Sequence, residues 1–236
     1  MKIFKKQSIK NSTTLAEPVK AREKKEIFLP RWLSLSKPGL GKEKFKKDNK
    51  MSKKEDIIAT ALNLFNRYNY SSVGVDRIIS ESGVAKMTFY KYFPSKENLI
   101  EECLSRRNKS IQEAIEKELS ILNEDDYLGK IKAVYFWHVA WFNSDDFHGC
   151  MFQKASLEVL QQYPSIIRPI IEYREWLMQL LEGFFEKAKV FQPHVLTSMY
   201  INILDGMTAY AKVNKDHTQI EECWYYIEKL INLDAA

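Results

Sequence analysis

Cysteine, glycine, proline and long apolar runs are all scarce in this sequence of 236 residues. Its three cysteines, Cys103, Cys150 and Cys223, are an odd number with no CxxC spacing. That excludes a disulfide scaffold and a cysteine-built zinc site, and it fits a reducing compartment. Eight glycines and seven prolines are too few for a loop-rich or collagen-like chain. The longest apolar stretch, Ala133 to Phe142, is interrupted by His138. It falls far short of the roughly 18 residues a membrane span needs, so no membrane partner is expected. The basic N-terminus lacks an apolar segment, so no secretory signal is read there and a cytoplasmic protein is expected.

Enzyme signatures are missing as well. There is no GxGxxG, HExxH or GxSxG. Gly39-Leu40-Gly41-Lys42 lacks the spacing and the following hydroxyl of a phosphate loop. Asp145-Asp146 falls in a polar connector, where a solvated loop or a cap explains the pair better than acid–base catalysis. His138, His148, His194 and His217 show no pairing with cysteine at metal-ligand spacing. No catalytic residue, metal or cofactor is expected.

What is present is a helical, unevenly charged chain. Hydrophobic residues make up 45% and charged residues 28%, enough for a sizeable core. Residues 1–50 hold 15 Lys/Arg against 5 Asp/Glu, a net +10. Residues 51–100 carry +2 and residues 101–236 carry −7, so a mildly basic module precedes an acidic one. The first segment is broken by Pro18, Pro30, Pro38, Gly39 and Gly41, and no period survives more than a few residues. It reads as a basic, disordered tail. Two accounts of it stand: an overextended start with Met51 as the real initiator, or a basic arm adding nonspecific DNA affinity.

Helical signals begin at Ser52. Ser52 and Glu55 have capping-box spacing, and Ile57, Ile58, Ala61, Leu62, Leu64, Phe65 and Tyr68 follow at helical intervals. Asn69 to Gly74 is a connector. A short helix is predicted over Val75 to Ser82, and Gly83 stands where the chain must turn through left-handed space. A second short helix is predicted over Ala85 to Phe93, and Ser95 caps a long one from Lys96 to about Ser120. Helix, three-residue turn with glycine, helix is the outline of a helix-turn-helix. In the second short helix Phe89 and Phe93 share one face and pack inward. The other faces carry Lys86, Met87, Thr88, Tyr90, Lys91 and Tyr92, with no acid. Such donors suit phosphate oxygens, guanine edges and the thymine methyl, though a solvated helix with aromatic packing reads the same way. Lys96 opens the next helix, where backbone N–H groups favour a phosphate.

The run from Val75 to Leu99, and in it Gly83-Val84-Ala85-Lys86-Met87-Thr88-Phe89-Tyr90-Lys91-Tyr92-Phe93-Pro94-Ser95-Lys96-Glu97-Asn98-Leu99, closely resembles the DNA-binding signature of TetR-family transcriptional regulators. The resemblance covers roughly residues 53–100; beyond it, only helical character, length and Phe147-His148-Gly149-Cys150-Met151-Phe152 are similar. It implies an all-α dimer with a small-molecule-responsive C-terminal domain. It also implies that Lys86, Met87, Thr88, Tyr90 and Lys91 face the major groove while Tyr90, Tyr92 and Lys96 hold phosphates. Gly74 departs from the family pattern, in which a threonine or serine often opens the second helix. The expected organisation is a tail over 1–50, a three-helix DNA-binding module over 51–100, and a larger helical ligand-binding and dimerisation domain over 101–236.

In that last region helices are predicted from Asp125 or Asp126 to about Asn143, Cys150 to Tyr163, Ser165 to Lys189, His194 to Val213 and Asp216 to Asn232. The final two, joined by a two-residue turn, are expected to run antiparallel. Their apolar residues Leu196, Tyr200, Ile203, Met207, Ile220, Trp224 and Ile227 suggest a face for a second copy, or a wholly internal hairpin. Trp137, His138 and Trp141, with Phe152, Gln153, Tyr173, Trp176 and Tyr200, are the candidate walls of a pocket for a small apolar or aromatic inducer. Aromatic residues at this spacing also describe plain core, and His138 reads as a hydrogen-bonded core histidine sooner than as a ligand contact or metal site.

The function expected is a sequence-specific regulator on an inverted-repeat operator in double-stranded DNA, most simply a repressor released by a small molecule. Two alternatives are a nonspecific structural DNA-binding protein and a redox-sensing regulator using Cys150. The acidic C-terminal module argues against the first, since a packaging protein should be basic throughout.

Overall fold

The structure, a computed structural model, describes residues 52–235. The expectations for residues 1–50, and for Met51 as initiator, lie outside the described residues. Those described form an all-α chain: α1 (Lys53–Arg67), α2 (Val75–Ser82), α3 (Lys86–Tyr92), α4 (Lys96–Leu119), α5 (Tyr127–Phe142), α6 (Met151–Glu158), α7 (Ile167–Lys187), α8 (Pro193–Val213) and α9 (Thr218–Asp234). A 3-10 turn, Pro164–Ile166, leads into α7.

Most helix starts follow from their caps. The Ser52 hydroxyl accepts from the Glu55 N–H at 3.3 Å, and the Ser95 hydroxyl accepts from Asn98 N–H at 3.1 Å. Asp126 accepts from Gly129 N–H at 2.8 Å and starts α5. The reciprocal half of the capping box does not form, because Glu55 accepts from Arg106 on α4 at 2.8 Å instead. Gly83 ends α2 at φ +65°, the left-handed turn that a side chain would disfavour.

Three boundaries differ from the sequence expectation. Helix α6 stops at Glu158 rather than Tyr163, and turns follow up to Pro164. A proline disfavours helical backbone in the residue before it, so unwinding starts ahead of it. Pro169 lies inside the first turn of α7, where no intrahelical N–H is required of it, so the helix runs through. The α8–α9 link spans Asn214–His217, four residues rather than two, because Asp216 accepts from the N–H and the hydroxyl of Thr218 and draws the start of α9 forward. The two helices still run antiparallel: the Phe191 N–H, just before α8, donates to the Asp234 carbonyl at the end of α9 at 3.2 Å.

Two cores result. Ile57, Leu64, Phe65, Ile78, Phe89 and Leu99 close α1–α3 onto the start of α4. A larger one joins α4, α5, α7, α8 and α9 through Ile111, Ile131, Tyr135, Leu181, Phe185, Leu204 and Trp224. Helix α5 is buried nearly all round, which explains why its sequence is apolar all round.

Candidate nucleic-acid interface

The three short helices fold as the helix-turn-helix spacing requires. Phe89 is fully buried and Phe93 nearly so, with ring centroids 6.1 Å apart. Burying these two rings stabilises the seat of α3 by about 2–3 kcal/mol each. With that face fixed, the opposite one must point outward. Met87 is 84% exposed, and Lys86, Tyr90, Lys91 and Tyr92 are exposed, while Thr88 is half-buried. The exposed face therefore carries two ammonium groups, two phenols, a hydroxyl and a thioether, and no acid. Lys86 makes one loose contact, 3.4 Å to Asp76 on α2. Such an exposed pair contributes little and is readily exchanged for a phosphate.

Lys96 is placed differently from the other expected contacts. It is half-buried, and its ammonium donates to the Tyr70 carbonyl at 2.5 Å. Burial lowers its pKa. The group that sequence reasoning assigned to a phosphate instead ties the start of α4 to the connector between α1 and α2. At Gly74 no side chain caps α2, and a Cβ there would meet nothing within 4 Å. Of the two serines nearby, Ser72 donates its hydroxyl to the Asn69 carbonyl at 2.9 Å, and Ser71 is exposed.

Sequence reasoning missed Tyr70 in this connector. It is fully buried and stacks on Phe65 at 4.8 Å. Its N–H donates to Glu158 at 2.7 Å and its hydroxyl to the Met151 carbonyl at 3.3 Å, both on α6. On the same helix, Lys154 donates to the carbonyls of Phe65, Asn66 and Tyr68 at 2.8, 2.7 and 3.3 Å. A cation on orphan carbonyls at a helix C-terminus is favourable for both hydrogen bonding and dipole reasons. The Asn66 amide donates to the backbone and side chain of Asp146, at 3.0 and 3.2 Å. The helix-turn-helix module is thus bolted at the end of α1 to α6 and to the loop before it. An aromatic residue inside a polar connector was the available signal.

The eight expected pocket residues do not form one group. Trp137 and Trp141 stack at 6.1 Å with His138 beside them, all buried. Phe152 and Tyr173 stack at 4.2 Å, and Trp176 lies 6.5 Å from Tyr173. Gln153 donates to Asp205 at 3.0 Å. Tyr200 stands apart, against Tyr135 and Phe185, with its hydroxyl donating to the Ile131 carbonyl at 2.7 Å. His138 is a core histidine: Nδ1 lies 2.8 Å from the Val134 carbonyl, and burial pulls its pKa down to about 4. A depression of about 310 Å³ is lined by Asp125, Tyr127, Lys187 and Ile231, and one of about 100 Å³ by Val195, Met199 and Leu230. Neither includes any of the eight.

Six of the seven expected dimer residues turn inward. Leu196, Tyr200, Met207, Ile220, Trp224 and Ile227 are buried within the protomer, and Ile203 is half-buried. Their spacing marks the face of α8 and α9 that packs on α5 and α7, which a partner cannot also touch. The outward face of the same helices carries Val195, Met199, Tyr210, Val213, Tyr226, Leu230 and Leu233, with Tyr226 70% and Leu233 78% exposed. Burial pushes the Cys150 thiol pKa up, the reverse of what a reactive cysteine needs. Among the described residues, no group of three or more His, Cys, Asp or Glu is placed to hold a metal ion. None of the described helices is long and apolar enough to cross a membrane.

Residues 57–103 match the family model of bacterial regulatory proteins, tetR family, and so cover α1 through the first turns of α4. Over these residues the chain is a tetR-family segment. Over 77 residues it is 40% identical to YuxN, an HTH-type transcriptional regulator of Bacillus subtilis, a match spanning 32% of this chain and 25% of that protein. Over 170 residues it is 22% identical to the HTH-type transcriptional regulator EthR of Mycobacterium tuberculosis, spanning 70% of this chain and 78% of that one. The chain spans only about a quarter to a third of the length of the curated relatives it matches at 33–40% identity. A solved TetR-family regulator from Streptomyces coelicolor superposes with a TM-score of 0.68 at 22% identity, over 78% of this chain and 96% of that one. The reduced form of NemR from Escherichia coli gives 0.63 at 21%, over 75% and 96%. These likenesses establish a TetR fold that extends through the C-terminal helices.

Proposed function

We propose that this chain is a TetR-family, sequence-specific DNA-binding transcriptional regulator, and that it acts as a homodimer on an inverted repeat. The observation that carries this reading is the exposed, acid-free face of α3, held outward by Phe89 and Phe93. Met87 and Thr88 suit the thymine methyl and base edges, Lys86 and Lys91 suit guanine or phosphate, and Tyr90 and Tyr92 suit phosphate oxygens. Residues 51–100 serve as the DNA-binding module and 101–236 as the ligand-binding and dimerisation domain. A second copy docks on the outward face of α8 and α9, and its two-fold symmetry imposes matching symmetry on the DNA site.

Repression of the adjacent transcript, relieved when a small molecule releases the protein from DNA, is the finer part of the proposal. The polar bolts from α6 to α1, and α4 itself, run from the DNA module into the C-terminal domain. A ligand that favours a different arrangement of α4 and α6 by about 3 kcal/mol weakens DNA binding roughly 150-fold, and DNA weakens the ligand equally. The reading is tested by selecting binding sites from random duplexes and footprinting the product. An inverted repeat whose half-sites lie about one helical turn apart is expected. Equal affinity for the selected and scrambled duplexes would sink the proposal.

A further inference from the structure

The interior between α4, α5, α6 and α7 holds a charge that the protein does not pair. Arg107, midway along α4, is 6% exposed, and its guanidinium donates no hydrogen bond among the described residues. It lies instead over Trp141, 5.7 Å from the ring centroid. A buried arginine ordinarily forks onto a carboxylate, because its five donors and its charge are costly to leave unmet. Neither acid whose charge reaches this interior answers it. Asp146 accepts from Asn66 at 3.2 Å and makes no ion pair with Arg107. Asp205 already accepts from Arg174 at 2.7 Å on one oxygen and from Gln153 at 3.0 Å on the other.

Two further donors share the want of an acceptor. The Trp141 indole N–H is buried with no hydrogen-bond partner. The Tyr173 hydroxyl makes no hydrogen bond among the described residues, while its ring stacks on Phe152 at 4.2 Å. His138 is neutral, and Cys150 carries its proton, so neither supplies negative charge. The region therefore has several donors without acceptors, a positive charge that Asp146 attracts but does not pair, and flat aromatic walls. What complements it is a group rich in acceptors, negatively charged, and attached to an apolar body.

We infer that this interior binds a small organic anion, its carboxylate head forked on the Arg107 guanidinium and its aromatic or aliphatic body held against Trp141, Tyr173 and Phe152. The inference deepens the ligand-released reading and rests on it for its regulatory meaning. It adds a charged head to the small apolar or aromatic ligand expected from the sequence. Arg107 stands on α4, whose first residue Lys96 is tied to the DNA module, so the anion is captured on the element that connects the two.

Two measurements on the full chain test it. First, a buried charge kept for a ligand destabilises the ligand-free protein, so Arg107→Met should raise the thermal midpoint by on the order of 5 °C. A fall, or failure to fold, would mean that Arg107 holds the fold together, and would overturn the proposal. Second, tryptophan fluorescence is titrated with three matched pairs: octanoate and octanamide, 2-naphthoate and 2-naphthamide, indole-3-acetate and indole-3-acetamide. At least one acid should bind saturably and at least about tenfold more tightly than its amide, in keeping with a charged hydrogen-bonded pair. Arg107→Met should abolish that preference and Arg107→Lys should keep part of it. Equal binding within every pair, or no binding by any acid, refutes the anion site. An acid that binds through Arg107 yet leaves DNA affinity unchanged would refute ligand release while leaving the site standing.

Discussion

The sharpest prediction separates two lysines that look alike in sequence. Lys91 is exposed on α3, whereas Lys96 is half-buried and donates to the Tyr70 carbonyl at 2.5 Å. A phosphate contact releases counterions, and each one steepens the dependence of log K on log salt by about 0.9. In a dimer, Lys91→Ala removes two such contacts, so the slope should become shallower by roughly 1.8. Lys96→Ala should change it by less than about 0.5, because that ammonium is already engaged within the protein. Its cost falls on stability instead: a half-buried carbonyl loses a charged donor, worth about 1–2 kcal/mol, or roughly 2–8 °C in thermal midpoint. The assay is fluorescence anisotropy of a labelled duplex at several salt concentrations, alongside thermal unfolding. Differences between variants cancel whatever residues 1–50 add to the absolute slope. If Lys96→Ala flattens the slope as much as Lys91→Ala and leaves the midpoint unmoved, the assignment of Lys96 to the connector is wrong.

Other outcomes follow from the same geometry. His138 is held neutral by burial with a pKa near 4, whereas the unfolded chain binds that proton near 6.5. Stability is therefore full above about pH 6.5 and falls as pH drops toward 4, with about 2 kcal/mol lost by pH 5. In His138→Phe the loss between pH 7 and pH 5 in urea unfolding should shrink by about that amount, and an unchanged pH profile would refute it. Lys154→Met strips the cation from three carbonyls at the end of α1. It should cost about 2 kcal/mol and loosen α1, seen as faster amide exchange there; unaltered exchange in α1 would tell against the bolt. Met199→Glu with Tyr226→Glu places like charges on the outward face of α8 and α9. Sedimentation should show the dimer dissociating while helicity stays constant, whereas Trp224→Ala should unfold the chain, costing about 3–5 kcal/mol. Removing residues 1–50 should lower nonspecific DNA affinity and its salt slope but leave footprints intact.

How much was legible in the sequence depended on the range of the interaction involved. Every expected helix was present, though α6 ends early, and Ser52, Ser95 and Gly83 marked ends correctly, because caps and left-handed turns are decided within four residues. The α3 face was legible for the same reason: once Phe89 and Phe93 turn inward, a helix of seven residues has no freedom left about which side faces out. The family signature lies wholly in this locally determined stretch.

Tertiary structure decided what each polar group is for. Lys96 reads as a phosphate contact from its place at a helix start, and only its meeting with Tyr70, 26 residues away, reassigns it. The apolar residues of α8 and α9 show a period but not a partner. The fold gave most of them to the protomer's own core and left Met199 and Tyr226 outside. The aromatic residues of α5 were visible as a group, whereas the burial of Arg107, an ordinary surface-type residue on the amphipathic α4, was not. Its significance comes from what does not pair with it: Asp146 is held by Asn66, and Asp205 by Arg174 and Gln153. Such pairings join residues tens of positions apart, and a charge becomes consequential only once burial removes the water that would otherwise satisfy it.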